Sequence, residues 1–154
     1  MTVSIDARLA ELGLTLPAAP APAANYVPFV ISGNMLYVSG QISQDENGLI
    51  KGRLGDTLDT EAGAAAARRC ALSLMAQARA ACGGDLGRVA RVVKLVGFVN
   101  SIPDFTEQPK VINGASDLFV AVFGDAGRHA RSAVSAASLP LGVAVEIEAI
   151  FELR

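Results

Sequence analysis

Two spacings of hydrophobic residues alternate along the chain, one suited to helices and one to strands. Between residues 59 and 82, Ala67, Ala71, Leu74, Ala78 and Ala81 recur every three or four positions, with Arg68, Gln77 and Arg79 off the stripe. That spacing predicts a helix with one buried side. Alanine is the strongest helix former, Asp59 or Thr60 can cap the start, and Gly83-Gly84 stops the run. A stripe of such small residues implies close packing against a sheet. Within residues 143 to 153 the period is two instead: Val145, Ile147 and Ala149 share one side, Glu146 and Glu148 the other. This is a strand with one buried face.

The remaining elements follow from the same reading. Residues 4 to 13 predict a short helix capped by Ser4, with Ile5, Leu9 and Leu12 along one side. Residues 16 to 24, broken by Pro17, Pro20 and Pro22, predict an extended connector. Strands are expected at 26–32 and 34–42 around Gly33-Asn34, and at Leu49 to Leu54 after the hairpin signal Asn47-Gly48. The β-branched run 88–99 predicts a central strand, 109–123 a second main helix entered at Pro109 and left at Gly124, and 131–138 a further strand. The order β-β-β-α-β-α-β-β, after an N-terminal extension over residues 1–25, indicates an α+β fold with helices on one face of a six-stranded mixed sheet. The whole of 1–154 reads as one domain.

Composition narrows the functional classes. Hydrophobic residues make up 51% of the 154 positions and charged residues 18%, enough for a core and little enough surface charge to suggest a homo-oligomer. A net charge of −2 and a pI near 5.3 argue against a nucleic-acid partner. Arg68, Arg69, Arg79, Arg88 and Arg91 read as solvated faces rather than a basic patch. Cys70 and Cys82 fall in one predicted helix roughly 18 Å apart, too far to bridge, and read as core residues in a reducing compartment. Neither a signal peptide nor a bilayer-spanning run is visible, so the expectation is a cytoplasmic protein without a membrane partner.

The sequence lacks most familiar catalytic devices. His129 is the single histidine, read as a loop residue before a strand. There is no GxSxG elbow, P-loop, dinucleotide fingerprint or cysteine pair at zinc spacing. Attention therefore falls on the C-terminal stretch RSAVSAASLPLGVAVEIEAIFELR. Arg131 opens a strand of small residues, leaving room for a ligand or a neighbouring subunit. Its guanidinium could fork onto a carboxylate, or pair with a structural acid. Glu146 and Glu148 form either a solvent-facing side, which their spacing alone favours, or the proton-handling wall of a pocket.

In order and spacing, several anchors resemble the reactive-intermediate deaminase (Rid, YjgF-like, or "L-PSP endoribonuclease") family. They are Tyr26, Gly33-Asn34, Ser39-Gly40-Gln41-Ile42, Lys94, Asp104-Phe105, Arg131-Ser132, Leu139-Pro140 and Val145-Glu146-Ile147-Glu148-Ala149. They span about residues 26 to 154. The resemblance implies a chorismate-mutase-like α+β subunit, assembled as a homotrimer with ligand clefts at the interfaces. It implies hydrolysis of enamines and imines such as 2-aminoacrylate to 2-oxo acids and ammonia, with no metal or organic cofactor. By position, Arg131 matches the carboxylate clamp, Glu146 the acid that holds water and relays a proton, and Tyr26 a tyrosine lining the cleft. Asn113 and Lys94 match further cleft positions. Ala133 stands where cysteine is frequent, leaving only a backbone carbonyl to contribute. The extension before Tyr26 and the segment TEQPKVING resemble a longer branch of the family. The leading expectation is thus a metal-independent deaminase of the 2-iminobutanoate/2-iminopropanoate type. The alternative is a non-catalytic trimeric binder of small carboxylates. An endoribonuclease is disfavoured by the acidic pI.

Overall fold

The computed structural model describes residues 3–22 and 24–154. Its elements are α1 (Ile5–Glu11), β1 (Phe29–Ser32), β2 (Met35–Ile42), β3 (Gln44–Asp45), β4 (Gly48–Leu49), α2 (Thr60–Ala81), β5 (Val89–Asn100), α3 (Gln108–Phe123), β6 (Ala130–Ala136) and β7 (Val145–Leu153). The main sheet runs β1-β2-β7-β5-β6, with β5 and β6 parallel and the other pairs antiparallel.

Local chemistry sets the element ends. Ser4 Oγ accepts from Ala7 N at 3.1 Å and Asp59 Oδ1 from Ala62 N at 2.8 Å, each satisfying a free amide of the first turn. At the end of α2, Gly83 takes φ 65°, so that Gly84 N reaches Arg79 O at 2.8 Å and Gly83 N reaches Ala80 O at 3.2 Å. This is the Schellman arrangement, which needs a left-handed residue at that position. Pro109 occupies the first turn of α3 and Gly124 ends it at φ 63°. β1 and β2 join through Gly33-Asn34, with the left-handed residue first (Gly33 φ 62°).

Both main helices cover one face of the sheet. Their buried residues meet Leu36, Val92, Leu95, Val99, Ile147 and Phe151, and Phe119 lies 6.0 Å from Phe151, centroid to centroid. Glycines permit this closeness. A Cβ on Gly97 would stand 2.5 Å from Ile112 Cδ1, and one on Gly114 would overlap the Ala64 carbonyl where α3 crosses α2. The N-terminal extension belongs to the same core, because Leu9 and Leu16 are buried in it.

Three expectations need correction. The sheet has five strands rather than six. After β2 the chain turns into the separate β3–β4 hairpin, and Ile50 to Leu54 make only isolated bridges, since Gly52 (φ 139°) and Gly55 (φ 85°) bend the backbone away from strand geometry. Tyr26 lies in a bend ahead of β1 and not on that strand. Gln77, expected off the buried stripe, is 1% exposed, because its amide is bonded to the N-terminal connector.

Candidate active site

Arg131, the second residue of β6, pairs across the sheet with Leu95, which in turn pairs with Ala149. Cross-strand partners project to the same face, and Leu95 and Ala149 lie under the helices, so Arg131 leaves the sheet on the helix side. There its Nη1 donates to Ser116 Oγ at 3.0 Å and its Nη2 to the Pro109 carbonyl at 3.2 Å. Among the described residues no carboxylate forms an ion pair with it. The guanidinium is thus held by a hydroxyl and a carbonyl, both neutral. Asn113, exposed, lies between Pro109 and Ser116 on the same side of α3. Ala133 follows Arg131 on the same face of β6, opposite Gly97.

Ser116 connects Arg131 to a histidine. Its Oγ lies 2.9 Å from His129 Nε2, and His129 Nδ1 lies 2.6 Å from the Gly127 carbonyl. A carbonyl only accepts, so Nδ1 carries the proton and Nε2 takes the Ser116 hydroxyl hydrogen. The Ser116 oxygen is then free to accept from Arg131. Burial holds His129 below the ordinary imidazole value against the opposing Gly127 bond, and the Arg131 charge adds to the depression. The chain Arg131→Ser116→His129→Gly127 therefore runs one way, with the imidazole neutral.

Glu146 lies on the other side. Its cross-strand partners are Ile42 and Phe98, and Phe98 pairs with Val134, one residue out of phase with Arg131. The carboxylate projects from the face that the helices leave open. A β-bulge at Ser39–Gly40 makes room for it, since a Cβ on Gly40 would overlap Glu146 Oε1. Among the described residues no hydrogen bond reaches the Glu146 carboxylate. Burial pushes its pKa up from the ordinary carboxylate value, and the like charge of Glu148 pushes the same way. Glu146 lines a cavity of about 560 Å3 together with Tyr26, Gly40, Gln41 and connector residues Pro20 to Pro22. Lys94 shares the open face but stands four residues along β5 from Phe98, about 13 Å away at strand rise, and does not line the cavity.

The residues singled out from sequence therefore fall into two groups within one chain. Arg131, Asn113 and Ala133 gather at the helix-side edge; Glu146 and Tyr26 gather in the open-face cavity; Lys94 joins neither. Sequence reading missed Ser116, His129 and the cavity wall formed by the connector. Spacing marked none of these: Ser116 and His129 are thirteen residues apart on different elements and meet only through packing. Cys70 and Cys82 are free and buried, and burial, followed by the nearby Glu146 charge, pushes the Cys70 thiol upward, which keeps it protonated and unreactive. Among the described residues no group of three or more His, Cys, Asp or Glu side chains is placed to hold a metal, and no helix is long and apolar enough to cross a membrane.

Comparison with known proteins places the chain in a family. The profile of the family described as "YjgF/chorismate mutase-like, putative endoribonuclease" matches residues 6–153, so the match takes in the N-terminal extension as well as the sheet. Protein TCP17 of Trypanosoma cruzi is 56% identical over 152 residues, covering 97% of this chain and 94% of its own. The crystal structure of Atu1372 from Agrobacterium tumefaciens, a protein of unknown function, superposes with a TM-score of 0.90 at 52% identity, covering 97% of this chain and 92% of that one. RidA from the Antarctic bacterium Psychrobacter sp. PAMC 21119 superposes with a TM-score of 0.60 at 31% identity, covering 90% and 98% respectively. With the family match running over nearly the full length, and relatives of 56% and 31% identity covering 97% and 90% of it, the chain belongs to the YjgF/chorismate mutase-like family, alongside RidA.

Proposed function

We propose that this protein is an enamine/imine deaminase whose reaction centres form between neighbouring copies. Arg131 of one copy grips the substrate carboxylate, and Glu146 with Tyr26 of the next handles water. One observation carries the reading: Arg131, with no acidic partner among the described residues, and Glu146, with no hydrogen-bonding partner among them, leave the sheet on opposite faces, so neither completes the other within one chain. The open face supports assembly, because Val30, Tyr37 and Val134 on it are 52%, 45% and 44% exposed and a neighbouring copy would cover them. We take the assembly to be a cyclic trimer. Kinship with RidA supports the choice of reaction.

The chemistry needs little beyond orientation and a proton relay. 2-Aminoacrylate tautomerises to 2-iminopropanoate, whose C=N carbon is electrophilic. Water held at Glu146 attacks that carbon while the carboxylate accepts a water proton and the imine nitrogen gains one, giving a carbinolamine. The C–N bond then breaks, ammonia leaves, and the hydroxyl loses its proton to form the 2-oxo acid. Overall, R–C(=NH)–COO− and H2O become R–C(=O)–COO− and NH3. A carboxyl with a raised pKa suits this exchange near neutral pH, and a placed acid–base group contributes roughly 10²–10⁴-fold. Arg131 holds the reacting carbon beside the water.

The test uses 2-aminoacrylate generated in situ, with 2-oxo acid formation followed against the uncatalysed rate. Arg131→Ala and Glu146→Gln should each reduce the acceleration by at least about 100-fold. Mixing the two inactive variants, with subunit exchange, should restore about a quarter of the sites, because each site draws its arginine and its glutamate from different chains. Equal activity of wild type and variants overturns the proposal. Stabilisation by 2-oxo acids without turnover would leave a carboxylate-binding protein instead.

A further inference from the structure

The Glu146 cavity is larger and more apolar than a three-carbon substrate needs. At about 560 Å3 it lies within the roughly 300–1,000 Å3 of clefts that enclose drug-sized ligands. Pro20, Pro22, Ile42, Leu49 and Leu141 supply much of its lining. Two of these features depend on specific structural arrangements. Gln77, 1% exposed within α2, donates from Nε2 to the Pro20 carbonyl at 2.6 Å and approaches Gln41 Oε1 at 3.4 Å. A buried amide that fixes a connector carbonyl makes that connector a set wall rather than a loose arm. Leu141, in turn, is the one non-glycine residue with a positive φ (60°) among the described residues, and it is 60% exposed. A leucine pays a steric penalty there that glycine avoids, and core packing does not require its side chain. It is one of the residues that line the cavity.

We infer that the connector prolines and Leu141 form a specificity wall, and that the preferred substrates are 2-imino acids with an aliphatic or aromatic side chain the size of leucine's or larger. This rests on the deaminase reading above and names the substrate class of the same site. The carboxylate sits at the neighbouring Arg131, the imine carbon at Glu146, and the side chain against the wall.

The full-length protein is assayed with imines produced in situ by an amino-acid oxidase from leucine, phenylalanine and alanine. The leucine and phenylalanine imines should be hydrolysed with a kcat/KM at least roughly tenfold above that of the alanine imine, since each matched methylene in an apolar pocket discriminates by about that factor or more. Leu141→Gly, which relieves the positive φ and so keeps the fold, should reduce that ratio severalfold. Gln77→Leu, which frees Pro20, should do likewise. Equal or reversed preference in the wild type, or an unchanged ratio in Leu141→Gly, overturns the specificity wall and leaves the deaminase standing. Acceleration of none of the imines overturns both.

Discussion

At the scale of single residues, protonation of His129 would set Ser116 against Arg131. The neutral imidazole accepts the Ser116 hydroxyl hydrogen and so leaves the serine oxygen to Arg131. A protonated ring would donate to that oxygen and place a second cation beside the guanidinium. His129→Phe should therefore raise KM by roughly tenfold, about the worth of one hydrogen bond to a charged group, with a smaller change in kcat. In the wild type, KM should rise as pH falls below the ordinary histidine value; in the variant that limb should be missing. The shift also enters stability. The depressed pKa of the folded state means that the contribution of His129 is present above the unfolded value and is lost as pH falls through the folded one. Glu146 has the opposite sign. The folded chain holds its proton more tightly than the unfolded chain, so its contribution is intact below the ordinary glutamate value and is lost as pH rises through the raised one. Glu146→Gln should accordingly have a modestly higher Tm than wild type near pH 7, a gap that closes toward about pH 4, while activity is lost. Thermal melts across that range check it.

At the scale of elements, the helix crossing is the tightest joint. Gly114 brings α3 against the α2 backbone at Ala64, where any Cβ would overlap a carbonyl. Gly114→Ala should cost about 1–3 kcal/mol in denaturant unfolding. It should also weaken substrate binding, because α3 carries Pro109, Asn113 and Ser116 to Arg131. Much of the element plan was legible from periodicity. α2 begins at the predicted Asp59 cap and stops at Gly83-Gly84, and β7 keeps the alternation of Val145 to Leu153. Two failures have physical causes. Gln77 reads as a surface residue because its partner, the Pro20 carbonyl, is fifty-seven positions away and sequence spacing cannot locate it. The strand expected over 49–54 is lost because pairing is settled by competition between neighbours: Ser43 N bonds to Val145 O while Ala144 N takes Ile50 O, and the glycines at 52 and 55 release the rest.

At the scale of the molecule, the deepest limit on sequence reading was register. Parity within a strand is visible in the chain, and so Glu146 and Glu148 could be placed together. Whether Arg131 shares their face depends on how β5, β6 and β7 align, and that alignment is fixed by packing. Its outcome separates the two principal groups, so the proposed chemistry needs a centre shared between copies. A solution mass by light scattering should be three times the 15.9 kDa chain, and Val134→Asp on the open face should lower it and abolish deamination together. Retention of turnover by a monomeric Val134→Asp would contradict the shared centre. The opposed faces of Arg131 and Glu146 also have a consequence for how such a catalyst responds to its own abundance. In the proposed arrangement a solitary chain owns halves of two reaction centres and the whole of neither. Dilution past the point of dissociation should therefore silence it, and synthesis past that point should switch it on more steeply than in proportion to the amount made.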